Sequence, residues 1–134
     1  MTFYDMTSPT LSQTALVVIA HGSRRDSANQ EFMQLVENLA TDKAAQFARV
    51  APAFLEQTSP TLLQACETVI KDGMKKIYVY PLFFNNGRHV GKDIPAQVVE
   101  AMEAFPGVEI ELMDYFGLAP ELGSTIGNHI TDQL

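Results

Sequence analysis

The sequence has no tryptophan, a single cysteine and no long apolar segment. One cysteine excludes an internal disulfide, and the apolar helical surroundings of Cys66 predict a core residue. The longest apolar runs, residues 15–20 and 78–84, are far shorter than the roughly 20 residues of a membrane-spanning helix. The N-terminal stretch has neither a basic start nor an apolar centre, so it does not match a secretory signal. We therefore expect a cytoplasmic protein without a membrane partner.

Basic residues are also scarce, because 9 Lys and Arg stand against 16 Asp and Glu, for a net charge of −7. Nucleic-acid-binding proteins need basic surface to displace counterions, so this charge argues against a nucleic-acid partner. Four basic residues nevertheless fall in two short segments, namely Arg24, Arg25, Arg88 and Lys92. A locally basic rim on an acidic protein favours an anionic small-molecule ligand, although scattered surface charge would give the same composition.

The length of 134 residues, with 46% apolar and 19% charged residues, is typical of one soluble domain. Residues 1–14 are expected to form a flexible lead-in, and residues 15–134 a single α/β domain. Four predicted strands, at residues 15–20, 50–55, 77–82 and 108–114, alternate with four predicted helices. The helices are expected from an N-cap at Asp26 or Ser27 to about residue 46, from an N-cap at Ser59 to Gly73, at 94–105 and from near Pro120 onwards.

This alternation predicts a parallel sheet with helices on both faces. Pro52 cannot donate to a strand ladder, so the second strand is expected at an edge. The fourth strand alternates apolar residues with Glu109 and Glu111, which favours the other edge, whereas the third strand is apolar on both faces and therefore central. The sequence thus predicts a flavodoxin-like three-layer sandwich with strand order 2-1-3-4.

Three polar side chains follow three strands that this order makes neighbours. His21 follows the first strand, Glu56 the second, and His89 lies in the loop after the third, where Gly87 and Gly91 allow the chain to fold back. Since adjacent strands are about 4.8 Å apart, these side chains are expected within roughly 10 Å of one another. Two imidazoles and a carboxylate suit Co²⁺, Ni²⁺, Fe²⁺ or Zn²⁺, and they suit proton transfer equally well. A lone histidine after a strand is more often a turn residue, but three such side chains at one edge favour a site.

Three stretches at these residues, VVIAHGSRRDSAN, PAFLEQTSPTLLQA and YPLFFNNGRHVGKDIP, resemble the motifs of the short-form sirohydrochlorin chelatases. These are class II metal chelatases of cobalamin and sirohaem synthesis, and the resemblance spans residues 15–118. It implies a chelatase-like fold and a lyase that inserts a divalent metal into sirohydrochlorin or a related anionic tetrapyrrole, with release of two protons. The metal, Co²⁺ first and Fe²⁺ or Ni²⁺ as alternatives, is then a substrate, so that no permanent cofactor is needed. The resemblance also implies a homodimer.

The resemblance further implies roles for particular residues. His21 and His89 would bind the metal and act in catalysis, with Glu56 as a third participant, and which group removes the pyrrole protons stays open. The candidate substrate-binding residues are Ser23, Arg24, Arg25, Arg88, Lys92, Phe84 and Val90. The basic members would meet carboxylates of the tetrapyrrole, and the apolar members would support its flat ring.

Two alternative functions use similar residues. A non-catalytic tetrapyrrole or metal carrier could use the same crevice, and only an insertion assay separates it from an enzyme. A phosphohistidine-type phosphatase also places His-Gly after its first strand. That chemistry needs an arginine directly before the histidine, where this chain has Ala20, so we reject it.

Overall fold

The computed structural model describes residues 11–42, 44 and 46–134. Its strands are β1 (Thr14–Ala20), β2 (Arg49–Phe54), β3 (Lys76–Pro81) and β4 (Glu109–Leu112). Its α-helices are α1 (Asp26–Thr41), α2 (Leu62–Lys71), α3 (Ile94–Ala104) and α4 (Leu122–Thr131). Two 3-10 turns, Leu11–Gln13 and Phe116–Leu118, and a π-helical turn, His89–Asp93, complete the described secondary structure.

The four strands form one parallel sheet in the order β2-β1-β3-β4, which confirms the predicted topology. Pro52 lies in β2, at an edge of the sheet, as expected from its missing N–H group. Ala20 pairs with Phe54, and Ile19 pairs with Pro81. The carboxyl ends of β1, β2 and β3 therefore lie side by side at one edge of the sheet.

The core has two parts, one on each face of the sheet. On one face, α1 packs through Val36 against Leu16 and Val18 of β1. On the other face, α2 and α3 cover a larger cluster that includes Leu62, Ile94 and the buried Cys66. This arrangement is the expected three-layer sandwich, since α1 covers one face of the sheet and α2 and α3 cover the other.

Helix α4 begins at Leu122, two residues after the predicted start, and none of its residues is buried. Ile126 and Ile130, one turn apart, are 46% and 55% exposed. An apolar groove of about 260 Å³ also lies open on the α1 face of the sheet. It is lined by Val18, Leu35, Val36, Leu39, Tyr80, Leu82 and Phe116. The single chain therefore exposes two apolar surfaces, the stripe of Ile126 and Ile130 on α4 and the groove on the α1 face.

Two predicted helix boundaries are wrong. Helix α1 ends at Thr41 instead of residue 46, because the N–H groups of Asp42 and Ala44 both turn back to the carbonyl of Leu39. Helix α2 is capped by Thr61 and not by Ser59. The carbonyl of Pro60 accepts the N–H of Phe54, so the chain before Thr61 stays alongside β2 instead of entering the helix.

The predicted lead-in falls mainly on residues 1–10, which lie outside the described residues. Gln13 and Thr14 belong to the domain, because the carbonyl of Gln13 accepts the N–H of Lys75 at 2.8 Å and Thr14 pairs with Lys76. Over the part of the chain that the structure describes, no helix has the length and apolarity to cross a membrane.

Candidate metal-binding site

His21, Glu56 and His89 meet at the carboxyl edge of the sheet. His21 directly follows β1, Glu56 comes two residues after β2, and His89 begins the π-helical turn that leads into α3. One ligand atom from each side chain lies within 4.8 Å of the others, inside the distance that the strand order predicted. Among the described residues, these three form the one cluster of histidine, cysteine or acidic side chains with metal-binding geometry.

His21 is held through both ring nitrogens. Its Nδ1–H donates to the carbonyl oxygen of Gly22 at 2.8 Å, and its Nε2 lies 2.8 Å from Oε1 of Glu56. An imidazole nitrogen and a carboxylate oxygen at this distance are within hydrogen-bond range. A metal ion that binds both groups would replace this contact, because metal ligands bind through deprotonated atoms.

The His89 ring packs edge-on against the His21 ring, with centroids 4.7 Å apart and planes at 64°. Its Nδ1 lies 2.9 Å from Oδ2 of Asp93, which follows four residues later. Nδ1 is thereby occupied, so Nε2 is the nitrogen left for a metal ion. The side chains of His21, Glu56 and His89 are 43%, 50% and 42% exposed, which leaves the cluster accessible from solvent.

The main chain joins the first two ligand segments. The N–H of Glu56 donates to the carbonyl of His21 at 3.0 Å, and the N–H of Leu55 donates to Ala20 at 2.8 Å. Gly22 has a φ of +94° and its backbone lies against the carbonyl of Glu56. Only glycine adopts this conformation without strain and leaves room for that approach.

A cavity of about 340 Å³ lies beside the two histidines. Apart from them, its lining is mostly apolar and consists of Leu82, Phe83, Phe84, Asn85, Gly87 and Val90. The structure therefore brings Phe84 and Val90 to the site, as the sequence predicted. Phe84 is 64% exposed and contacts the ring of Phe116 at 5.7 Å between centroids, so it forms an aromatic wall.

Ser23 holds the turn after β1 instead of pointing freely at a ligand. Its N–H donates to Oδ1 of Asn29 at 2.9 Å, and its carbonyl accepts from Nδ2 of Asn29 at 2.8 Å. Its hydroxyl oxygen also accepts the N–H of Arg25 at 3.0 Å. The expected N-cap at Asp26 or Ser27 is wrong, because the observed N-cap residue is Arg25, which makes no side-chain cap.

The four basic residues lie on two segments next to the ligands. Arg24 and Arg25 follow the turn after β1, and Nε of Arg24 donates to Oε1 of Gln57 at 3.3 Å. Arg88 and Lys92 flank His89 on the π-helical turn. All four are exposed, and among the described residues none of them forms an ion pair.

Sequence reasoning missed Asn29 and Asp93. Asn29 is 7% exposed and clamps the turn that carries His21, but polar residues in a first helical turn are too common to single it out. Asp93 follows His89 by four residues, the spacing of helical neighbours. The prediction of a loop over residues 89–93 was wrong, because these residues form a π-helical turn in which the N–H of Gly91 donates to the carbonyl of Gly87.

Known proteins resemble this chain in sequence and in fold. A sirohydrochlorin ferrochelatase of Bacillus subtilis is 27% identical over 118 residues, which cover 88% of this chain and 44% of the relative. A sirohydrochlorin cobaltochelatase of Methanocaldococcus jannaschii is 35% identical over 81 residues, 60% of this chain and 55% of the relative. The chain thus spans about half the length of the curated relatives it matches.

A solved structure extends the likeness to the fold. The sirohydrochlorin chelatase SirB from Bacillus subtilis subspecies spizizenii, in complex with cobalt, superimposes with a TM-score of 0.78 at 29% identity. The match covers 90% of this chain and 50% of that one. The family model described as CbiX matches residues 15–133, from β1 to beyond α4. The sheet order, the three motifs and this match lead to one conclusion: the chain belongs to the CbiX family.

Proposed function

We propose that this protein is a metal chelatase, a lyase that inserts a divalent metal ion into sirohydrochlorin or a related anionic tetrapyrrole. The observation that carries the proposal is the meeting of His21, Glu56 and His89 within 4.8 Å beside an apolar cavity. The family membership and the relatives named as iron and cobalt chelatases of sirohydrochlorin support the same activity.

The donor set fits a divalent ion that is a substrate. Neutral imidazoles and a carboxylate bind Co²⁺, Fe²⁺ and Ni²⁺, and Co²⁺ is the first ion to test. All three donors come from one edge of the sheet, so coordination positions on the opposite side stay free for the nitrogens of a macrocycle. Insertion of one M²⁺ releases two pyrrolic protons, and Glu56 and His21, which lie 2.8 Å apart, can accept them once the metal has left these two ligands for the ring.

The surroundings fit a flat, carboxylate-rich ring. Phe84 and Val90 give the cavity an apolar wall against which a macrocycle can lie. Arg24, Arg88 and Lys92, on the two segments beside the ligands, supply positive charge for the peripheral carboxylates of the substrate. The protein as a whole is acidic, with a net charge of −7, so this local positive charge directs an anionic ligand to the site.

We also propose that the active form is a homodimer. A cavity of about 340 Å³ is at the small end of pockets that enclose even drug-sized ligands, so one chain covers a tetrapyrrole only in part. A second copy would supply the opposite wall. The chain spans about half the length of its relatives, and the stripe of Ile126 and Ile130 and the open groove on the α1 face are surfaces that a second copy can cover.

The test of the activity follows the absorption spectrum of sirohydrochlorin with Co²⁺ and with Fe²⁺ or Ni²⁺, in the presence and absence of protein. The wild-type protein should accelerate insertion over many turnovers, and His21→Ala, His89→Ala and Glu56→Gln should each remove most of the acceleration while circular dichroism stays unchanged. Glu67→Gln, an exposed carboxylate of α2 paired with Lys71 at 3.2 Å, is the control. Binding of the tetrapyrrole without acceleration would instead identify a carrier and overturn the proposal.

The test of the dimer is light scattering on the purified chain at the concentrations of the assay. We expect twice the mass of one chain, and the double variant Ile126→Ser, Ile130→Ser should shift the mass towards that of the monomer and reduce insertion. Val99→Ser, an equally exposed apolar residue of α3 at 51%, should change neither property. A fully active monomer would contradict the proposal.

A further inference from the structure

The two histidines of the site differ in what holds their Nδ1 atoms. Nδ1 of His21 donates to a neutral main-chain carbonyl, that of Gly22. Nδ1 of His89 lies 2.9 Å from a carboxylate oxygen of Asp93. Asp93 does not belong to the cluster of His21, Glu56 and His89. Among the described residues, its only ion-pair partner is His89.

We infer that Asp93 is a positioning residue for metal capture: it fixes the His89 ring in the Nδ1–H tautomer and presents Nε2 as the metal donor. The inference rests on the proposed function only for its effect on insertion, since the hydrogen bond itself exists in the protein without substrate. A carboxylate that accepts from a metal-binding imidazole also makes the other nitrogen a stronger donor. His89 is therefore the stronger of the two imidazole ligands.

The local backbone is built for this contact. Residues 89–93 form a π-helical turn, a rare conformation that is frequent at functional sites. Asp93 has helical backbone angles, because the π-helical turn continues directly into α3, and the N–H of Ile94 already donates to the carbonyl of His89. The Asp93 carboxylate therefore caps no N–H group of α3 and bonds His89 instead. The turn places the carboxylate and the imidazole on the same side of the chain, four residues apart.

A purely structural role would let Asp93 stabilise the turn without affecting the imidazole, and the experiment separates the two roles. Long-range ¹H–¹⁵N spectra of the metal-free protein report which nitrogen of His89 carries the proton. We expect the Nδ1–H tautomer alone in the wild type and a mixture of tautomers in Asp93→Ala. Asp93→Asn keeps an acceptor oxygen without the charge, so it should keep the tautomer and weaken metal binding only in part.

Titration with Co²⁺ alone provides the second readout. Asp93→Ala should bind Co²⁺ about 10–100-fold more weakly, the usual effect of removing such a partner, and Asp93→Asn should lie between it and the wild type. In the insertion assay, the KM for Co²⁺ should rise while the KM for sirohydrochlorin stays the same. Asp72→Ala is the control, since Asp72 is exposed and pairs with the remote Arg49 at 3.4 Å.

The outcomes are distinct from those that test the proposed function. If Asp93→Ala, or Asp93→Asn should the alanine variant not fold, keeps both the wild-type tautomer and the wild-type Co²⁺ affinity, the inference is overturned. If the wild-type protein inserts no metal but Asp93→Ala changes the tautomer and weakens Co²⁺ binding, the proposed function fails and the inference stands.

Discussion

Gly22 and Glu56 are in direct contact through their main chains. A Cβ added to Gly22 would overlap the carbonyl oxygen of Glu56, and the φ of +94° at Gly22 is itself unfavourable for other residues. The N–H of Glu56 donates to the carbonyl of the neighbouring His21 at 3.0 Å. The backbone therefore sets the distance between the first imidazole and the carboxylate before their side chains are considered.

Gly22→Ala should separate His21 from Glu56 and weaken Co²⁺ binding at least tenfold, in addition to lowering the unfolding free energy by about 1–2 kcal/mol for the left-handed backbone. Denaturant unfolding and Co²⁺ titration measure the two effects. Gly73→Ala is a matched control, because Gly73 has a φ of +95° but nothing within 4 Å of an added Cβ. It should lose stability and keep its metal affinity; equal affinity in both variants would contradict the role of the contact.

Asn29→Ala should loosen the turn that carries His21, because it removes both side-chain hydrogen bonds to the backbone of Ser23, at 2.9 and 2.8 Å. The backbone groups of Ser23 would lose their partners, and we expect a loss of about 1–3 kcal/mol in unfolding free energy. Asn38→Ala, an exposed change on the same helix, should cost less than about 0.5 kcal/mol. Thermal or urea unfolding compares the two, and equal losses would argue against the clamp.

Thr61→Ala should destabilise the protein by about 1 kcal/mol through loss of the helix cap. The hydroxyl of Thr61 accepts the N–H of Gln64 at 3.2 Å, and Oε1 of Gln64 accepts the N–H of Thr61 at 2.9 Å. Ser59→Ala, at the position that the sequence predicted as the cap, should leave the urea midpoint nearly unchanged. If Ser59→Ala instead lowered the urea midpoint more than Thr61→Ala, the helix would be capped at the residue that the sequence predicted.

Cys66 should react very slowly with thiol reagents in the folded protein. Burial raises the pKa of its thiol to about 11, so at pH 8 the reactive thiolate is rare, and its side chain is shielded from solvent as well. Ellman's reagent should label it fast in 8 M urea and only at the rate of unfolding in buffer. Rapid labelling of the native protein would show that the α2 side of the core opens readily.

The sheet and two of the ligands could be read from the sequence, because each depends on local chemistry. Pro52 lacks an N–H and so indicates an edge strand, and the alternation around Glu109 and Glu111 indicates the other edge. His21 and Glu56 follow their strands within two residues, so the strand order alone brings them together.

The remaining features depend on contacts between distant segments, which no local pattern encodes. The start of α2 at Thr61 is decided by the hydrogen bond from Phe54 to Pro60 across the chain. The role of Asp93 depends on a π-helical turn in a stretch whose glycines and asparagines predicted a loop. The exposure of α4 was also missed, since its apolar spacing is that of a helix packed within its own domain.

The three donors differ in how their main chains are connected to one another. His21 and Glu56 follow adjoining strands and are joined by a main-chain hydrogen bond, whereas His89 belongs to a separate turn after β3. Redesign of the metal preference would therefore begin in residues 87–93, where a substitution moves one donor and leaves His21 and Glu56 in place. A change at residues 21–22 instead alters the spacing between His21 and Glu56, and so changes two metal–donor distances at once.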